Sequence, residues 1–363
     1  MKIVHVETGM HLYGGAQQVA YLLQGLSNAG VENVLVCPTG AAIGKHFATG
    51  KVRVIETPCG GDLDLGFAIR LGRILKNEKP DVVHLHSRRG ADVLGGLAAR
   101  AAGIPAVLSR RVDNRESRLW AALKYRLYAR VICISQGIAD VLSSEGVPAE
   151  KIRVVRSAVD ASPWQQPESR EAFCREFAVA TTGPLIGIVA QLIERKGHRY
   201  LFDALASLKE LPYHLIVFGQ GPLRNELEAR AHALGLGERV RFAGFRNDLP
   251  RWLGGLDLLV HPALMEGLGV SLLQASAASV PIIASRAGGM PEAVRDGENG
   301  LLTPPGDTTA LATALNRLLS DPPLRQQLGA RGRQMIEREF SVAAMVAGNQ
   351  RVYADVVAGA RRR

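Results

Sequence analysis

Residues 257–274, DLLVHPALMEGLGVSLLQ, hold the side chains of this protein best arranged to do chemistry. Leu258, Leu259 and Val260, running past His261 to Pro262, read as a buried strand. A loop follows with a single carboxylate, Glu266, flanked by Gly267 and Gly269, and a helical pattern begins directly behind it. A strand, a glycine-bracketed loop and a helix N-terminus at the carboxyl end of a parallel sheet make an anion site. The glycines let backbone N–H groups approach a phosphate, and the helix dipole favours its charge. A carboxylate at such a place requires a ligand with hydroxyls to donate to it. Phosphate and hydroxyls together point to a nucleotide sugar.

Other stretches have the same form. Gly14-Gly15-Ala16 follows the first strand and opens a helix. It fails as half of a dinucleotide fingerprint, because the glycine spacing is wrong and no acidic residue ends the second strand. His84 and His86 end the strand 81–86, and alternation sends both to one face with Leu85 opposite. Gln191 to Gly197, QLIERKG, follows an apolar strand and places Arg195 and Lys196 beside a helix start. Arg can fork two phosphate oxygens and Lys acts as a point charge. Gly219-Gln220-Gly221-Pro222 follows a strand and precedes a helix, FAGFR at 242–246 ends another strand, and Gly288-Gly289-Met290-Pro291-Glu292 forms a further glycine-rich loop.

Taken together and in this order, these motifs resemble the family 4 glycosyltransferases, retaining enzymes of the GT-B architecture, and within them the branch that includes lipopolysaccharide-core sugar transferases. The resemblance implies an α/β fold of two doubly wound, Rossmann-like parallel-sheet domains facing a cleft. It implies transfer of a sugar from a nucleoside diphosphate sugar to an acceptor hydroxyl, with retention of anomeric configuration. Glu266 would accept from hydroxyls of the donor sugar, and His86 would reach that sugar near the reacting carbon. Lys196 and Arg195 would neutralise the diphosphate. Gly15, Gln191, Gly219, Phe245, Gly267, Leu268, Gly269 and Gln274 would line the donor site, with the base held by Phe245 or by the backbone around Arg246. Gly14, Gly288 and Gly289 would shape the acceptor or sugar pocket. The chain departs from the family at two positions. The second Glu of the family's pair is Gln274, which accepts and donates but carries no charge. The Arg of the usual G-R-L is Gln191. A nucleotide-sugar epimerase of the same architecture and a non-catalytic nucleotide-sugar-binding subunit are the competing readings. No metal ligand set and no cofactor are expected, the diphosphate being met by cations and helix dipoles.

The elements that carry these residues alternate. Short apolar runs near 3–6, 34–37, 52–55, 81–86, 106–109 and 131–135 are separated by helical patterns, which argues a parallel doubly wound sheet. Residues 157–184 break the rhythm with Pro163, Pro167, Gly183 and Pro184. The alternation then restarts at 185–190, 214–218, 240–242, 256–260 and 280–284. The domains are therefore set at 1–165 for the acceptor side, 166–340 for the nucleotide sugar, and 341–363 for a final helix that, by resemblance, returns to the first domain.

The chain has 363 residues, enough for two domains, with 47% apolar residues and a net charge of +10. Residues 267–285 carry no formal charge, yet their glycines, serines and Pro281 read as a buried helix and strand, not a membrane span. Cys37, Cys59, Cys133 and Cys174 lie far apart, arguing against disulfides and zinc. With an N-terminus that begins as a strand, this points to the cytoplasm. Residues 110–130 hold seven basic residues against two acidic, interleaved with Trp120, Tyr125 and Tyr128. Leu119, Leu123 and Leu127 recur at helical spacing, so that face is either core or, with the cations, a contact for an anionic membrane on its inner surface. No nucleic-acid module is present.

Overall fold

The computed structural model describes residues 1–12, 14–86, 91–112 and 114–361, so Asp113 of the basic segment and Arg362 and Arg363 of the tail lie outside the described residues. Each apolar run becomes a strand, and the strands form two parallel sheets. The first contains β1 (Lys2–Val6), β2 (Glu32–Cys37), β3 (Arg53–Glu56), β4 (Val82–Leu85), β5 (Ala106–Arg110), β6 (Arg130–Cys133) and β7 (Ile152–Val154), in the order β3-β2-β1-β4-β5-β6-β7. The second contains β8 (Leu185–Val189), β9 (His214–Phe218), β10 (Val240–Gly244), β11 (Leu258–His261), β12 (Ile282–Ser285) and β13 (Gly300–Thr303), in the order β10-β9-β8-β11-β12-β13. These are two doubly wound α/β sheets. β7 and β13 are absent from the sequence reading. Both are short edge strands of three and four residues, too brief to stand out as an apolar run.

The chain divides into two units, Met1–Ala158 with the tail from Val342, and Val159–Ser341. The sequence reading places the first boundary after residue 165, and packing corrects it to Ala158. Val159 N donates to Phe340 O at 2.9 Å, and Trp164 is buried against the helix Leu249–Trp252. Glu168 N donates to Arg251 O at 2.8 Å. Pro163 and Pro167 therefore belong to a segment that is laid down on the second unit.

The helix Val342–Arg361 packs on the first unit. Met345, Val346, Val352, Tyr353 and Val356 meet Ile3, Leu22, Leu26, Val82 and Val107 in one buried cluster. In the second unit, Ile186, Ile188, Leu215, Val217, Leu258 and Val260 face Leu201, Leu205, Leu311 and Leu315 of the flanking helices. The uncharged stretch from Gly267 resolves into a loop, the helix Val270–Ala277 and β12. Among the described residues no helix is long and apolar enough to cross a membrane.

Candidate active site

In the second sheet the strand order turns about β8 and β11, the place where ligands sit in open α/β sheets. β8 runs into Gln191–Lys196, and β11 runs into the loop that carries Glu266. Gly197 brings these two segments together. Its φ is +73°, and a Cβ there would lie 2.0 Å from the Pro262 carbonyl oxygen, an approach that any side chain forbids. Leu264 N donates to Arg195 O at 2.8 Å and pins the contact. Lys196 Nζ thereby forms an ion pair with Glu266 Oε2, with only 10% and 17% of the two side chains exposed. His261 Nε2 stands 3.2 Å from the same oxygen, and Gly267 N donates to Oε1 at 3.2 Å. Gly289 N donates to Glu266 O at 3.1 Å, which ties the 288–292 loop to the same point.

Burial is the largest influence on Glu266 and opposes its ionisation. The His261 hydrogen bond and the Lys196 charge outweigh it and hold the carboxyl well below the usual range. Burial also lowers His261, against the pull of Glu266. His261 is therefore neutral and donates through Nε2 to a carboxylate that can only accept. His198, beside this cluster, is pushed down to about 4, chiefly by burial and also by the neighbouring Lys196 charge. The arrangement is a desolvated cation and anion at the mouth of a strand, next to a helix N-terminus, able to meet a phosphate with one group and hydroxyls with the other.

The remaining donor-site candidates surround it unevenly. Gln191 and Arg195 are exposed beside Lys196. Gly219 has φ +141°, its missing Cβ would fall 1.9 Å from Ala190 O, and its N–H donates to Gly244 O at 2.8 Å. This turn joins the strand end before Gln191 to the segment carrying Phe245, which is half exposed. The Arg246 guanidinium is held by Asp248 and Glu176, both at 2.7 Å. Phe242 packs on Phe202 in the core. Leu268 is 1% exposed, so its side chain is core and only its backbone is left for a ligand. Gly269 caps the helix Val270–Ala277 with φ +82°, and Gln274 lies partly buried in the second turn.

In the first unit a cavity of about 500 Å³ opens beside β1, β4 and β5, lined by Glu7, His11, Gly15, His86, Arg110 and Arg111 among others. Gly14 is the first residue of the helix Gly14–Asn28 that starts at its edge. His86 follows β4 immediately, and its ring lies 3.8 Å from that of His84, on the same face. His84 is fully committed, Nδ1 to Tyr353 OH at 2.6 Å and Nε2 to Ser109 Oγ at 2.8 Å. His5, paired with His84 across β1 and β4, bonds His86 Nε2 at 3.0 Å through Nδ1 and Asn33 Oδ1 at 3.1 Å through Nε2. One ring nitrogen from each of the three histidines lies within 4.8 Å of the others. Five of the six ring nitrogens are engaged in these hydrogen bonds, leaving His86 Nδ1 without one.

The basic segment is less superficial than its composition implies. Arg110 and Lys124 are buried and paired with Glu116, and Lys124 also meets Asp92. Tyr125 and Tyr128 are buried as well. The core reading of the leucine face is corrected in the opposite sense. Leu119, Trp120 and Leu123 are 74%, 47% and 53% exposed, because Ala121, Lys124 and Tyr125 form the inward face of the helix Arg118–Tyr125. His5, Asn33, Ser109, Tyr353 and His261 were not singled out by sequence. His261 interrupts an apolar run, and His5 sits on the face of β1 that alternation shares with Ile3; these are the only local signals they carry.

Residues 13–162 match the family described as Glycosyltransferase Family 4, and residues 169–335 match Glycosyl transferases group 1. The chain is 27% identical over 356 residues, 95% of this chain and 96% of the other, to a lipopolysaccharide core biosynthesis glycosyltransferase, LpsE, of Rhizobium meliloti. It is 31% identical over 283 residues, 72% of this chain and 73% of the other, to the 2-deoxystreptamine glucosyltransferase of Streptomyces kanamyceticus. Its fold matches Anabaena HepE, solved in complex with UDP, with a TM-score of 0.86 at 21% identity over 98% of this chain and 100% of that one. The two family models, which together span most of the chain, make this chain a member of the family 4, group 1 glycosyltransferases, and its two parallel sheets match the GT-B fold.

Proposed function

We propose that the sugar moved by this glycosyltransferase comes from a nucleoside diphosphate sugar, goes to a hydroxyl of an envelope glycan or glycolipid, and keeps its anomeric configuration. The observation that carries the donor half is the desolvated Lys196–Glu266–His261 cluster at the turning point of the second sheet. Lys196, the Arg195 fork and backbone N–H groups at the start of the helix Val270–Ala277 take the charge of the departing diphosphate. Glu266 accepts from hydroxyls of the sugar. The bond from the anomeric carbon to phosphate breaks as the bond to the acceptor oxygen forms, and the acceptor proton passes to the departing phosphate oxygen. With these cations in place the step needs no divalent metal. The UDP-bound HepE fold and the lipopolysaccharide-core relative support the donor and acceptor classes. The exposed Leu119, Trp120 and Leu123, with Arg115, Arg118 and Arg126 exposed around them, support docking on an anionic membrane surface.

The test is release of nucleoside diphosphate from a panel of uridine, guanosine and adenosine diphosphate sugars, with and without EDTA. Glu266→Ala is expected to lose turnover by at least roughly 100-fold while keeping its circular dichroism spectrum. Near-normal rates in that variant overturn the assignment. Isomerised sugar in place of transfer would make the protein an epimerase, and binding without turnover a non-catalytic subunit.

A further inference from the structure

A neutral imidazole has one donor and one acceptor nitrogen, so a hydrogen-bonded chain of histidines has a polarity, and fixing one end fixes the rest. The fixed end here is Asn33. Its Nδ2 donates to the Val31 carbonyl at 2.8 Å and to Ser27 Oγ at 3.1 Å. A carbonyl only accepts, so the amide nitrogen must face Val31 and Oδ1 must face His5. Oδ1 also only accepts, so the hydrogen of His5 lies on Nε2. Burial pushes His5 down to about 4, which leaves it neutral near pH 7, with a bare Nδ1 that accepts. His86 Nε2, 3.0 Å away, must then donate. The two ring planes are 8° apart with centroids 5.3 Å apart, the geometry of two imidazoles joined edge to edge through one N–H···N bond. Burial, with the Arg111 guanidinium nearby, keeps His86 neutral too. Its Nδ1 therefore carries a lone pair and no hydrogen. That atom is buried, has no partner among the described residues, and belongs to a side chain that lines the 500 Å³ cavity.

We infer that Asn33 and His5 are positioning residues that lock His86 as its Nε2–H tautomer, so that the bare Nδ1 accepts a hydrogen bond from a hydroxyl in the cavity. The inference rests on the proposed function, a sugar transfer, and on the reading that family resemblance gives His86, as the residue that reaches that sugar. It adds a rule of selection. A bare nitrogen welcomes a hydroxyl or an N–H and rejects a carboxylate or a methyl ether at the same place. Asn33 lies in β2, away from the cavity-lining set, and acts only through His5.

Long-range proton–nitrogen correlation spectra of the full chain labelled with nitrogen-15 histidine test the inference directly. His86 is assigned by the signals lost in His86→Gln. The expected wild-type result at neutral pH is a protonated Nε2 and a bare Nδ1. A hydrogen on Nδ1, or a doubly protonated ring, in the wild-type protein overturns the inference. Asn33→Leu should release His5, give mixed tautomers at His5 and His86, and lower kcat/KM about ten-fold, the worth of one buried hydrogen bond, for the nucleotide sugar that the panel identifies. Unchanged tautomers in that variant also overturn it. Undiminished turnover in His86→Ala would instead remove the sugar contact and leave the tautomer relay to be judged by the spectra alone.

Discussion

At the scale of single residues, the site depends on atoms that must come closer than ordinary side chains allow. Gly197 is the clearest case, since a methyl group there would meet the Pro262 carbonyl at 2.0 Å. Gly197→Ala is expected to cost about 2 kcal/mol or more in urea unfolding, because the left-handed backbone and the clash both oppose it. It should also separate Lys196 from Glu266, so that the change in midpoint comes with a loss of donor affinity. The buried histidines predict the response to acid. His5 is ordinarily near 6.5 and lies at about 4 in the fold, and His84 and His86 are also lowered by burial. A depressed folded value means the stability is complete above the unfolded value and is lost as pH falls through the folded one. Glu266 has the same sign. His5 alone accounts for about 3 kcal/mol lost between pH 7 and pH 4. Thermal midpoints recorded across that window should fall steadily, and a flat profile would contradict the neutral relay.

At the scale of elements, the helix Arg118–Tyr125 shows what composition conveys and what it leaves open. Its basic and aromatic character is visible in the sequence, but not which way it is turned. The Glu116 and Asp92 carboxylates draw Lys124 inward, and this rolls Leu119, Trp120 and Leu123 outward. The consequence is testable by sedimentation with lipid vesicles. Binding should be stronger to vesicles rich in anionic lipid than to neutral ones, and Trp120→Ala with Leu123→Ala should weaken it without altering turnover on a soluble acceptor. Equal binding to both vesicle types would sink the electrostatic part. The central strands were legible because strands buried on both faces need uninterrupted apolar runs. The short edges β7 and β13 were not, since three or four residues make too brief an apolar run to mark a strand, and neither was the transfer of residues 159–165 to the second unit, which depends on Phe340 and the helix Leu249–Trp252, distant in sequence.

At the scale of the whole molecule, each unit closes its own core, but the first does so with a helix from the far end of the chain. Met345, Val346, Val352, Tyr353 and Val356 lie against β1, β4 and β5 side chains. Residues 159–341 alone should therefore give a cooperative melt. Residues 1–158 alone should not, and adding residues 342–361 in trans should restore one. A cooperative melt of 1–158 by itself would show that the last helix is dispensable to that core.

The sequence by itself determined the alternation of strands and helices, the glycine-flanked loops at the strand ends, and the presence of Glu266, Lys196 and His86. These follow from local rules, since period, turn chemistry and residue type act over a few neighbours. Only the tertiary structure decided that Lys196 and Glu266 are partners, that His261 shares the same oxygen, and that Asn33 orders His86 through His5. Two of these join residues 70 and 81 positions apart, because parallel strands bring distant strand ends side by side, and the third depends on how the loop after β11 folds back on its own strand end.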